Sequence, residues 1–397
     1  MSVPVLGDRG LFPELEPTAY LNHAGISPVS LDVKYAVRAI LDDYGRRGAA
    51  AYPAWAEQRA RLKQKLGALV GARGEDLAIT QNTTRGVTDV ALAIPWKRGD
   101  RVVLFEGEFP SNVTPWQRAA EAFDLEIAYL PTRDYLASDE PGLARLAAEL
   151  ERPARLVAVS AVEFQTGLRT PIGRMAELAH AAGAELFVDA VQAVGANPID
   201  VTSDAVDYLA CGSHKWLMGV EGAGFLYVAP ARVEALRPLT AGWLSHEDGL
   251  SFLFEGPGHL LRDRPLKRAA SVFEGANVSA VGCAALEASV DLLLALGVDA
   301  VHAHVNRYLD DLEPALVARG LTSLRRRDAA GRSAILSMLP PEGVDVIALQ
   351  RALGERGVAA ATPDGHLRLA PHWPNGAHEV PLVVDAFDAA LHELEAD

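Results

Sequence analysis

The sequence predicts an α/β protein with a mostly parallel, buried sheet, followed by a smaller α+β unit. Three observations carry this expectation. Between Leu77 and about Pro230, short runs rich in Val, Leu and Ile alternate with longer amphipathic stretches rich in Ala, Arg and Glu. The short runs are apolar on both faces, as strands covered by helices on both sides must be. The composition, 49% hydrophobic and 22% charged over 397 residues, is that of an ordinary globular chain long enough for two or three domains.

Taken in order, the expected strands are Leu77–Thr80, Arg101–Phe105, Glu126–Leu130, Leu156–Ser160, Glu185–Asp189, Tyr208–Gly212 and Gly224–Val228. Helices are expected at Ser111–Phe123, Gly142–Glu151 and Ile172–Ala182, where apolar residues recur every three to four positions and Pro171 suits a first helical position. Right-handed crossovers place these helices on both faces of the sheet. A loop-rich stretch, Trp243 to Leu266, leads to long helical patterns at Val278–Leu296 and Ala300–Arg319. The smaller unit then reads as strands Ser333–Met338, Val358–Thr362 and Leu367–Ala370 with helices Val344–Arg356 and Val380–Glu395. Pro141-Gly142, Pro341-Glu-Gly343 and Pro363-Asp-Gly365 read as turns.

Charge and cysteine usage narrow the function. With 37 basic and 52 acidic side chains the net charge is −15, which gives nucleic acid or anionic lipid no general attraction. Cys211 and Cys283 are the two cysteines, too few for a disulfide framework or a multi-cysteine metal site, so no metal is expected and a reducing, cytoplasmic setting is. The first residues lack the basic and apolar regions of a signal peptide, and no run approaches about 18 uninterrupted apolar residues. The most apolar stretch, Ala284 to Leu296, is interrupted by Glu287, Ser289 and Asp291 and reads as a buried or half-buried helix.

The chemistry concentrates in residues 184–224. One apolar strand ends on Asp189, with Gln192 three residues later, and the next ends in Cys211-Gly-Ser-His-Lys-Trp216. Ligands of open α/β sheets collect at the carboxyl ends of strands, so Asp189 and Lys215 are expected at one rim. A lysine beside an apolar wall loses its proton by desolvation and attacks aldehydes as a neutral amine. An acid on the adjacent strand suits a pyridinium nitrogen, and the pair is the minimum for pyridoxal phosphate. Gln81-Asn-Thr-Thr-Arg-Gly86 follows a strand and opens a helix, so it reads either as an anion cradle using Thr83 and Thr84 or as a plain helix cap.

These motifs resemble the class V aminotransferase superfamily of pyridoxal phosphate enzymes, which includes cysteine desulfurases, kynureninase and isopenicillin N epimerase. The resemblance runs from Tyr20-Leu-Asn-His-Ala-Gly25 through Glu108-Phe-Pro-Ser-Asn112 with Trp116, Asp189-Ala-Val-Gln192, Ser213-His-Lys-Trp216 and Phe273-Glu-Gly-Ala-Asn277 to Arg368-Leu-Ala-Pro-His-Trp-Pro-Asn375. It implies the fold type I architecture of that cofactor class, with a large domain over residues 18–295 and a small domain made of residues 1–17 and 296–397. It implies that Lys215 carries the cofactor as a Schiff base and moves the Cα proton, that Asp189 pairs with the pyridine nitrogen and that Gln192 pairs with the phenolic oxygen. Phe109 then stacks on the ring, and Thr83, Thr84, Ser213 and His214 hold the phosphate. Asn277 matches a position that reaches across a dimer interface, so a homodimer with shared sites is implied. Arg368 matches the arginine that grips the substrate carboxylate. His23 and Trp243 fall on the substrate side, Trp243 within Gly242-Trp-Leu-Ser-His246, which is similar to a stretch of the kynureninase branch.

Two departures bear on the reaction. Desulfurases carry a catalytic cysteine shortly before the Arg368 position, whereas Ala360-Ala-Thr-Pro-Asp-Gly-His366 has none, and Glu163-Phe-Gln165 stands where an asparagine is expected. Transamination is the leading expectation, with a kynureninase-like or cysteine-type lyase and an amino acid epimerase as alternatives. Phe109 also reads as core, His23 as an N-terminal packing contact and Ser213 with His214 as turn residues. A nucleotide-binding oxidoreductase needs G-x-G-x-x-G after an early strand, and the nearest approach, Gly222-Ala-Gly224, precedes a strand instead. A non-catalytic regulator on the same fold is disfavoured because the lysine, aspartate and arginine are all present.

Overall fold

The computed structural model describes residues 3–396; Met1, Ser2 and Asp397, which the expected small domain includes, lie outside them. All seven expected strands form at the expected residues: β2 (Leu77–Thr80), β3 (Arg101–Phe105), β4 (Glu126–Leu130), β5 (Leu156–Ser160), β6 (Glu185–Asp189), β7 (Tyr208–Gly212) and β8 (Gly224–Val228), after a short β1 (Ala19–Tyr20). They make one sheet of order β2-β8-β7-β6-β5-β3-β4. Pairing is parallel from β7 through β6, β5 and β3 to β4, while β8 runs antiparallel to both β7 and β2.

Side chains alternate between two apolar layers, one on each face. Val157, Val159, Leu186 and Val188 enter one, whereas Leu156, Ala158 and Phe187 enter the other. The edge strand β4 departs from the two-sided expectation: Glu126 is exposed and Tyr129 largely so, because no strand and little helix cover that edge. At the β7–β8 contact a Cβ on Gly224 would lie 2.5 Å from the Cys211 carbonyl, so only glycine lets these strands pair there.

Several helix boundaries move. The helix expected from Ser111 begins at Thr114, after a 3-10 turn at Pro110–Asn112, with Pro115 in its first turn. The helix expected from Gly142 begins at Asp139, so Pro141-Gly142 is not a turn: a proline in the first helical turn gives up no intrahelical bond, and Gly142 leaves room for the Tyr135 ring. Pro171 caps rather than starts helix Ile172–Ala181. Helix Ala280–Leu296 is mostly buried, as expected.

In the smaller unit, β9 (Thr322–Ser323), β10 (Leu336–Leu339) and β12 (Leu367–Leu369) form an antiparallel sheet of order β12-β10-β9. The strand expected from Ser333 starts three residues later, because the Ser333 hydroxyl is bonded to the Gly167 carbonyl at 2.6 Å and to the Ile335 N–H. The strand expected at Val358–Thr362 shortens to β11 (Val358–Ala359), which pairs in parallel with β1.

Candidate active site

Parallel pairing of β6 and β7 brings their carboxyl ends to one rim, with Asp189 ending the first and Lys215 in the turn after the second. That turn is tightly held. Its amides close on themselves, Met218 N–H to Lys215 O and Gly219 N–H to Ser213 O, both at 2.9 Å. The Trp216 carbonyl accepts from His372 Nε2 at 2.8 Å, and Gly195, at φ 107°, lies so close that a Cβ would meet that oxygen at 2.3 Å. The Trp216 indole donates to Gln192 Oε1 at 2.8 Å, and Gln192 Nε2 donates to Ala24 O at 3.0 Å, which leaves one amide N–H of Gln192 unused.

Burial sets the charges. It pulls the Lys215 ammonium down to about 8, with Arg368 acting in the same direction and Asp189 opposing. Asp189 is pushed up to about 6 by burial. One of its oxygens takes the Val191 N–H at 3.0 Å and the other has no partner among the described residues. Nearby, the half-buried Glu108 is pushed up to about 7 by loss of water around its carboxyl, with Asp189 adding to the rise, although it accepts from Ser160 N, Ser160 Oγ and Asn112 Nδ2.

The phosphate end and the carboxylate end lie apart. Helix Thr83–Ala91 packs on β7, where a Cβ on Gly86 would meet Ala210 Cβ at 2.8 Å. Its first turn therefore reaches Gly212, whose Cβ would be 3.2 Å from Thr83 Oγ1 and 3.5 Å from the His214 ring. Asn82 caps this helix through Arg85 N–H at 2.8 Å, and Thr84 shares a 2.7 Å hydrogen bond with Ser111. The helix-cap reading of this turn is thus met by Asn82. Arg368, mid-strand in β12, is buried, donates Nη1 to Phe164 O at 2.9 Å and leaves Nε unpartnered. Burial lowers it to about 10, with Glu163 opposing. The Phe109 ring lies 5.4 Å from Lys215 Nζ and is 41% exposed, so it is not core.

Other expected residues sit differently. Ser213 is fully buried and its hydroxyl donates to Val220 O, so it fixes the lysine turn and offers no face to a phosphate. His23 is buried, with Nδ1 on Ser27 Oγ at 2.8 Å and its ring against Tyr20, Trp216 and His372, so it packs rather than lining a free surface. Trp243 stacks edge-on to Phe252, and no contact among the described residues joins it to Lys215 or Arg368. Asn277 is exposed and has no hydrogen bond among the described residues. Sequence reasoning did not single out Glu108, Ser111, Phe164 or His372. All four lie in stretches quoted above, but nothing local distinguishes a buried carboxyl or imidazole from an exposed one.

The protein-family description "Aminotransferase class-V" matches residues 20–372. A cysteine desulfurase of Dickeya dadantii is 32% identical over 324 residues, 76% of this chain and 73% of its own. An isopenicillin N epimerase of Streptomyces clavuligerus is 29% identical over 341 residues, 84% of each. Among solved structures, a C-DES mutant with glycine covalently linked to the PLP cofactor aligns at TM-score 0.87 and 23% identity, over 96% of this chain and 99% of that one. The cysteine desulfurase CsdA of Escherichia coli aligns at 0.83 and 24%, over 97% and 98%. These structural likenesses show the same α/β fold.

Proposed function

The chain belongs to the class V aminotransferase family, a family of pyridoxal phosphate enzymes, and from that premise we propose that it is a transaminase of free α-amino acids. The residues present fit the cofactor on three observations. Asp189 keeps one oxygen without a partner for a pyridinium nitrogen, Gln192 keeps one amide N–H, and Gly212 leaves open the space between Thr83 and His214 where a phosphate sits. When bound, the cofactor supplies an electron sink for negative charge at the substrate Cα.

The chain's own groups do the rest. Lys215 holds the cofactor and, as a neutral amine, takes the Cα proton and returns it. Thr83, Thr84 and His214 hold the phosphate, with Ser111 supporting Thr84. Phe109 covers the ring. Arg368, with its free guanidinium edge, takes the substrate carboxylate, and the loss of water around a buried cation strengthens that pairing. Asn277 is free to reach a second subunit, so a homodimer belongs to this reading. So does a reducing cytoplasm, in which two buried free thiols persist.

The observation that carries transamination is the half-buried Lys215 amine, near Asp189 and with Arg368 acting on it, because one group then serves as both base and acid. A second reading, β-elimination at a carbon–sulfur bond, is favoured by the desulfurase relative. In that case sulfur leaves as a free product: Cys211 is buried with its thiol held neutral, and Cys283, pushed up to about 12 by burial, sits in helix Ala280–Leu296. Purified protein loaded with pyridoxal phosphate and treated with single amino acids, then 2-oxo acids, distinguishes these. Loss of the yellow colour and its recovery with an oxo acid support transamination. Release of sulfide from cysteine, or of cysteine persulfide from cystine, supports elimination, an inverted enantiomer supports epimerisation, and failure to take up the cofactor refutes the proposal.

A further inference from the structure

Phe164 lies in the connection between β5 and helix Ile172–Ala181, and two of its contacts fall on the proposed substrate position. Its carbonyl accepts from Arg368 Nη1 at 2.9 Å, which fixes its backbone to the group proposed to take the substrate carboxylate. Its ring meets the Phe109 ring edge-on, with centroids 5.2 Å apart at 87°, and Phe109 in turn lies 5.4 Å from Lys215 Nζ. The residue is half-buried, so part of the ring is not sealed into the core. Phe164 therefore bridges the proposed carboxylate anchor and the proposed cofactor face, where a substrate side chain leaves Cα.

The loop that carries it is fastened on every side. The Glu163 carboxylate turns back onto Gln165 N–H, Thr166 N–H and Thr166 Oγ1 at 3.0, 2.6 and 2.7 Å. From the smaller unit, Ser337 donates to Gln165 O and Asp364 accepts from Gln165 Nε2 at 2.9 Å. A wall held this way is preorganised and does not yield to a larger group at low cost. The Glu163 carboxylate is spent on Gln165 and Thr166 and Asp364 on Gln165, so what the loop presents beside Arg368 is a phenyl ring with no hydrogen-bond donor: an acidic substrate side chain loses water there and gains no partner, whereas an apolar one only gives up water.

We infer that Phe164 sets side-chain specificity at this site, selecting amino acids with an apolar side chain over acidic ones. The inference rests on the reading of the site as a cofactor-dependent amino acid enzyme, and the test separates the two. Wild type, Phe164→Ala and Phe164→Leu are loaded with pyridoxal phosphate, and the rate of colour change is measured with L-alanine, L-leucine, L-methionine and L-glutamate. All three proteins are expected to take up the cofactor equally, and wild type to prefer L-leucine to L-glutamate in kcat/KM. Phe164→Ala is expected to cut that preference by about tenfold or more, the scale of one lost apolar contact, through KM for L-leucine and L-methionine and with little change for L-alanine. Phe164→Leu, which restores an apolar wall, is expected to retain most of it. A loaded Phe164→Ala protein with an unchanged leucine-to-glutamate ratio, an equal loss on every substrate, or a wild type that prefers L-glutamate overturns the inference alone. A wild type that takes up no cofactor overturns the parent reading, and this one with it, before any amino acid is added.

Discussion

Replacing Glu108 with glutamine should stabilise the cofactor-free protein at pH 8 and not at pH 5. Glu108 is half-buried, and loss of water around its carboxyl raises it from 4.5 to about 7. Below about pH 4.5 it is protonated whether the chain is folded or not, so it costs the fold nothing. Between 4.5 and 7 the unfolded chain ionises while the folded chain keeps its proton, and stability falls as pH rises. Above 7 the whole penalty is present, roughly 3 kcal/mol at 1.36 kcal/mol per pH unit. About 2.5 kcal/mol of it accrues between pH 5 and 8. Glutamine cannot ionise. It keeps an acceptor for Ser160 N–H, and the Ser160 hydroxyl can turn to accept, but Asn112 Nδ2 loses its partner at every pH, a cost of about 1 kcal/mol. The variant is thus expected to be slightly less stable than wild type at pH 5 and about 2 kcal/mol more stable at pH 8. Paired urea unfolding curves across that range give the difference, from which groups common to both proteins cancel. A difference that stays flat with pH, or turns against the variant at alkaline pH, would refute the assignment of Glu108 as a carboxyl ionised at a cost.

Lys215→Ala should leave the fold intact while abolishing the covalent adduct that borohydride traps on wild type, a comparison read by mass spectrometry. The rate at which the apo-protein captures pyridoxal phosphate should rise with pH around a midpoint near 8, since about a tenth of the Lys215 amine is neutral at pH 7; a midpoint near that of an ordinary lysine would contradict the burial argument. Arg368→Ala should raise KM for amino acids by about ten- to a hundredfold, as loss of a charged hydrogen bond worth about 1.5–3 kcal/mol requires, with smaller effects on cofactor loading. Gly195→Ala should lower the melting temperature and weaken cofactor capture together, because a Cβ 2.3 Å from Trp216 O forces the lysine turn to move.

The large sheet was legible because its strands are short apolar runs bounded by turn residues, and burial on both faces, everywhere but at the edge strand β4, leaves no alternative period. Lys215 and Asp189 were legible for a related reason: polar residues that end apolar strands have to face the rim. The smaller unit was read less well. Strand β11 owes its existence to β1, more than 300 residues earlier in the chain, and no local pattern shows such pairing. Ser213 and His23 each had two readings in the sequence, because a hydroxyl or imidazole beside a functional lysine looks the same there whether it faces a ligand or a neighbouring group; the structure gives Ser213 a turn contact and His23 a packing one. Glu108 escaped for the opposite reason, since its importance comes from the partners Ser160 and Asn112 and the lost water it meets only in the folded chain.

The parallel pairing of β1 with β11 has a consequence for how the protein is made. Residues 77–228, which carry the lysine and its aspartate, leave the ribosome and can assemble their sheet while Ala19 and Tyr20 still wait for Val358 and Ala359. At about 5–20 residues per second that wait lasts on the order of tens of seconds. Throughout it the cofactor-facing half of the cleft stands without Arg368, which emerges only after β11. A nascent chain paused before that point is therefore expected to capture an aldehyde before it can recognise an amino acid, so assembly of the site is ordered in time by the direction of translation.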